Sequence, residues 1–145
     1  MKYYYAKTTK GAACCMSCAL GKLALLEDEE PVLETCREHL SKAVFLMDEY
    51  DRTWHSIIWI QSSHTTKKRT QKKLGNLAFD AYQHFQQATE DLNSYVDVLE
   101  KRHTNAQEVS MPQWWNDMLL SLMTADSIFK KENKHQIIAK QLSLF

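Results

Sequence analysis

The chain has 145 residues, one domain's worth, and its 44% hydrophobic and 25% charged residues are those of a globular protein rather than a disordered or fibrous one. Three glycines and two prolines are too few for the turns of a β-sandwich or barrel, so an all-α fold is expected. Eighteen basic residues balance eighteen acidic ones, so net charge offers no argument for a nucleic-acid or membrane partner.

The start, Met1-Lys2-Tyr3-Tyr4-Tyr5, lacks the apolar core of a signal peptide. The longest apolar stretches, Ala19 to Leu26 and Ile57 to Ile60, are too short to span a bilayer. A cytoplasmic protein with no membrane partner is expected. Helical periodicity begins after Thr8 or Thr9, either of which suits a cap, with Ala12, Cys15, Ala19, Leu23 and Leu26 as one buried stripe. The acidic run Glu27 to Glu30 and Pro31 close this helix and open the next, because proline and carboxylates both suit a first helical turn. Leu33, Cys36, Leu40, Ala43, Met47, Tyr50, Trp54 and Ile57 then hold an a/d spacing for nearly four heptads.

Ser62 to Thr66 interrupts the pattern with residues that compete for backbone hydrogen bonds and is expected to be a loop. A third stripe runs through Leu74, Ala78, Ala81, Phe85, Ala88, Leu92, Tyr95 and Leu99. It ends at Lys101-Arg102-His103, whose cations suit a helix C-terminus. After a loop over Thr104 to Ser110, Pro112 opens a fourth helix with Trp115, Met118, Leu122, Ala125 and Phe129 inward. Four amphipathic helices with short connections predict an antiparallel four-helix bundle over residues 1–130, since each stripe must be covered by the others. The polar run from Lys130 to His135 separates this bundle from a C-terminal peptide tail, 131–145.

That tail ends in Gln141-Leu142-Ser143-Leu144-Phe145. The pentapeptide resembles the motif by which bacterial DNA polymerases, mismatch-repair proteins and replication regulators dock on the β sliding clamp, and it matches the consensus Gln-Leu-Ser/Asp-Leu-Phe at every position. The resemblance covers these five residues alone. A Gln-Leu-x-Leu-Phe end arises by chance in roughly one chain in 10⁵. The resemblance implies a noncatalytic adaptor or regulator of replication or repair, with the clamp as partner and no cofactor. Leu142, Leu144 and Phe145 would enter an apolar pocket, Gln141 would hydrogen-bond at its rim, and Ser143 would be the permissive position. Burying the three apolar side chains yields roughly 5–9 kcal/mol gross, and ordering costs reduce the peptide's affinity to micromolar or weaker. A homodimer would bring two tails to a ring with one pocket per subunit. In the competing arrangement the fourth helix continues, with Ile138, Leu142 and Phe145 on a core stripe.

Other residues carry separate expectations. Lys67, Lys68, Arg69, Lys72 and Lys73 place five cations within seven residues, a density suited to the DNA backbone or to a solvated face. Cys14, Cys15 and Cys18 share a helix segment, and with Cys36 or His39 they could surround a zinc ion. A helical enzyme or metal-binding bundle using that cluster is the alternative to the adaptor, although small buried cysteines are ordinary core residues. No phosphate loop or nucleophile elbow is present, so no catalytic residue is assigned. Trp54 and Trp115 fall on core stripes, whereas Trp59 and Trp114 fall off them and are candidates for a dimer or partner surface or, equally, for partial burial under a loop.

Overall fold

The computed structural model describes residues 2–56, 63–104 and 112–132. These form four helices, α1 (Lys2–Leu23), α2 (Pro31–Trp54), α3 (His64–Thr104) and α4 (Trp115–Glu132), with no strand among the described residues. None of these helices is long and apolar enough to cross a membrane. The bundle is all-α, as its composition predicts.

The four helices close into a ring. α2 packs along α3, and α1 packs on both α2 and α4. α3 and α4 meet through large aromatic side chains: the Phe129 ring lies 5.3 Å from that of Phe85 and 5.4 Å from that of Tyr82, and Trp115 lies 6.3 Å from Tyr95. Pairing of the middle of α3 with late α4, and of late α3 with early α4, makes these two helices antiparallel. Cys36 with Ala88, His39 with His84 and Glu49 with Lys73 do the same for α2 and α3.

The core follows the expected stripes closely. Every predicted position from Leu33 to Tyr50, from Leu74 to Tyr95 and from Trp115 to Phe129 is buried, while Trp54 and Leu99 are partly buried at the ends. In α1 the stripe is centred on Ala12, Met16, Ala19 and Leu23, so Cys15 is only half-buried and Met16 takes the core position. Neighbouring helical residues sit 100° apart, and turning the longer methionine inward removes more apolar surface from water.

Helix ends depart further from expectation. α1 begins at Lys2, so Thr8 and Thr9 are interior residues and not caps. The preceding Tyr3 to Lys7 holds no breaker, and an interior threonine costs only a few tenths of a kcal/mol, about 0.7 at most. α2 stops at Trp54, before Ile57, which lies outside the described residues with Trp59 and Ser62. The expected loop at Ser62 to Thr66 is already helix from His64, because Ser63 supplies the N-cap: its Oγ accepts from the Thr66 amide at 3.3 Å. Pro112 stands in a turn ahead of α4, its carbonyl accepting from the Trp115 amide at 3.1 Å.

Arg37, on α2, closes the end of α1. Its guanidinium donates to the Leu23 carbonyl from Nε at 3.1 Å and from Nη2 at 2.6 Å, and from Nη2 to the Leu26 carbonyl at 2.9 Å. The final carbonyls of a helix have no partner within it, and a cation there also suits the helix dipole.

Candidate functional site

Gln141, Leu142, Ser143, Leu144 and Phe145 lie outside the described residues, as do Ile137 and Ile138. What the fold does define is where that segment is attached. α4 continues through Glu132, two residues past the expected bundle boundary, and ends at the same end of the bundle as the C-terminus of α2 and the N-terminus of α3.

The five expected cations belong to that end. All five fall within the first three turns of α3. Lys67 is half-buried, and Lys68, Arg69, Lys72 and Lys73 are exposed. Lys73 reaches Glu49 of α2 at 3.8 Å, and that carboxylate is shared with Arg52 at 3.0 Å. The other four cations form no ion pair among the described residues. No acidic residue occurs between Ser63 and Phe79, which leaves the segment strongly positive. With Phe129 level with Tyr82 and Phe85, Glu132 lies near residue 80 of α3. At 1.5 Å per residue, Lys67 to Lys73 stand roughly 10–20 Å beyond the end of α4.

The cysteines do not form one site. Cys14 and Cys18 are exposed, Cys15 is half-buried, and Cys36 is buried between α2 and α3. The Cys36 thiol donates to the Ala88 carbonyl at 3.3 Å, and burial, reinforced by the nearby Asp91 carboxylate, pushes its pKa up to about 12. A thiol held protonated is a poor metal ligand. The expected set of Cys14, Cys15, Cys18 and Cys36 is therefore split. The alternative ligand, His39, faces His84 instead. Among the described residues, no group of three or more His, Cys, Asp or Glu side chains is arranged to hold a metal.

A polar internal region lies in the seam between α2 and α3, which the sequence reading did not single out. Beside Cys36 lies Asp91, the one buried charged residue among those described; its Oδ1 accepts from Gln87 Nε2 at 3.1 Å and its Oδ2 has no partner there. One turn along, His39 and His84 meet through their Nδ1 atoms at 3.1 Å. His84 also borders an open groove of about 370 Å³ lined by Ser41, Lys42, Phe45 and Leu46. Such pairings have no local signature, because the partners stand 45 to 52 residues apart.

A second polar cluster ties the α1–α2 connection to α3. Asp28 accepts from Arg102 at 2.7 and 3.3 Å, from the Tyr95 hydroxyl at 2.6 Å and from the Glu30 amide at 3.1 Å. Arg102 thus binds the Asp28 carboxylate, with Glu30 at 3.6 Å as a second partner. Trp114, one of the two off-stripe tryptophans, is half-buried with its ring 6.4 Å from Trp115. Comparison with protein-family models, curated proteins and solved structures returns no match.

Proposed function

We propose that this chain is a noncatalytic adaptor or regulator of DNA replication or repair that docks on the bacterial β sliding clamp through Gln141 to Phe145. The observation that carries the reading is the pentapeptide itself, which meets the clamp-binding consensus at all five positions. The fold supports it in two ways. Phe129, near the end of α4, is buried against Tyr82 and Phe85, so the inward stripe of α4 is anchored ahead of the tail. The unpaired cations of α3 also lie at the end of the bundle from which the tail departs. The eight residues from 133 to 140 span at most roughly 26–29 Å, so a clamp-bound tail would keep Lys67 to Lys73 near DNA threading the ring. A cytoplasmic setting goes with this partner.

Co-elution with a bacterial β clamp tests the proposal. The chain forms a complex, and Leu142→Ala with Phe145→Ala abolishes it without changing the thermal midpoint, because only pocket contacts are lost. The α2–α3 hairpin outruns α4 at this end, where a continued stripe of Ile138, Leu142 and Phe145 would find a surface to cover. In that arrangement the substitutions cost about 2–5 kcal/mol of stability each and leave clamp affinity unaltered, which would overturn the docking role. Charge reversal at Lys67, Lys68, Lys72 and Lys73 weakens DNA binding and flattens its salt dependence while clamp binding persists. Absence of wild-type DNA affinity at low salt would reduce the patch to a solvated face. A homodimer, presenting two tails, would appear in the same elution profile as a doubled mass.

A further inference from the structure

His39 and His84 face each other head-on across the α2–α3 seam. Their Nδ1 atoms are 3.1 Å apart and their ring centres 5.4 Å apart, with planes tilted by 30°. The excess of the second distance over the first is about two ring radii, so both Nδ1 lone-pair directions lie nearly on the line joining the rings. That line has room for one hydrogen. It has none for a metal ion, whose bonds to imidazole are about 2.0–2.1 Å each and would hold two collinear nitrogens about 4 Å apart.

One hydrogen between two imidazoles limits what the pair can carry. In the neutral pair one ring donates from Nδ1 and the other accepts there with its own proton on Nε2. A first added proton goes to the free Nε2 of the donor ring. The bond is kept and becomes charge-assisted. A second proton has only the accepting Nδ1 left. It would put hydrogens on both facing nitrogens and two cations in contact, so the bond must break.

We propose that the His39–His84 pair is an acid-opened latch between α2 and α3, closed with zero or one added proton and opened by the second. The surroundings act in the same direction. Burial, His39 and the Lys42 ammonium on α2 hold the His84 pKa below its ordinary value, opposed by Asp80 one turn away on α3. In the unfolded chain both rings protonate near 6.5. The folded pair resists its second proton, so its contribution to stability is complete above 6.5 and declines as pH falls below that value. Because His84 also borders the groove beside Phe45, opening the latch rearranges the wall of that groove.

Histidine side-chain NMR of the full chain between pH 8 and 4, run alongside thermal midpoints, tests the latch. The expected result is two separated steps, each sensed by both His39 and His84. The thermal midpoint falls between pH 6.5 and the second step, by roughly 3–5 °C for each pH unit of that step's depression. His84→Gln and His39→Gln, whose amides still hydrogen-bond but take no proton, remove that fall. Independent single titrations of the two rings near 6.5 would overturn the proposal, as would an unchanged pH dependence in a folded His84→Gln variant. The wild-type titration decides the matter even where a glutamine variant does not fold.

Discussion

Asp28 receives four hydrogen bonds from three residues, two of them on a helix more than sixty positions away. The Arg102 and Tyr95 side chains hold its carboxyl down, from 3.8 to about 2. A carboxylate with a depressed folded pKa contributes stability that is present above its unfolded value and lost as pH falls toward the folded one. Solvent screening of this partly exposed cluster discounts the effect, so Asp28 adds about 1–2 kcal/mol at neutral pH, removed progressively between roughly pH 4 and pH 2. Asp28→Asn should lower stability by about 1–3 kcal/mol at pH 7 and flatten acid unfolding in that window, as denaturant titrations at pH 7, 4 and 2.5 would show. A variant as stable as wild type at pH 7 would mean that Arg102 and Tyr95 are held by packing alone. The histidine latch begins to respond at higher pH, below 6.5, and Asp28→Asn leaves that part of the acid response in place. Neither group was legible in the sequence: Asp28 stood inside an acidic run with a generic place at a helix start, and His39 was one of six scattered histidines.

α1 shows what a helix can gain without touching its neighbours. Gly21 is an interior helical residue with open space where a Cβ would stand. Alanine there removes backbone freedom from the unfolded chain and adds no clash. Gly21→Ala should raise stability by about 0.5–1 kcal/mol, or a few degrees in thermal midpoint, roughly 2–4 °C per kcal/mol in a chain of this size. A lowered midpoint would show that the outward face of α1 is covered in solution. The middle of each helix was readable because burial repeats with the period of the helix itself, as from Leu33 to Tyr50. The ends were less so. Thr8 as an expected cap and Ser63 as the actual one carry the same kind of side chain, and only the backbone path decides which oxygen meets a free amide.

At the scale of the whole molecule, α3 and α4 depend on aromatic side chains to fill the space between them. Phe129 is fully buried against Tyr82 and Phe85, so Phe129→Ala should cost about 3–5 kcal/mol, measured by denaturant unfolding. This gives an internal standard for the tail: the same truncation at Phe145 should leave stability unchanged when that residue serves the clamp. Equal losses at both positions would place Phe145 in a core.

The helical class, the four stripes and the candidate pentapeptide were accessible from the sequence by itself, because helical periodicity and a linear motif are written in consecutive residues. The tertiary structure decided which polar groups meet. It joined Arg37 to the carbonyls of α1, Asp28 to Tyr95 and Arg102, and His39 to His84, and it separated Cys36 from Cys14 and Cys18. Such pairings depend on the register and rotation of whole helices. A shift of one residue turns a side chain by 100°, which the apolar pattern tolerates at its edges but a hydrogen bond of about 3 Å does not.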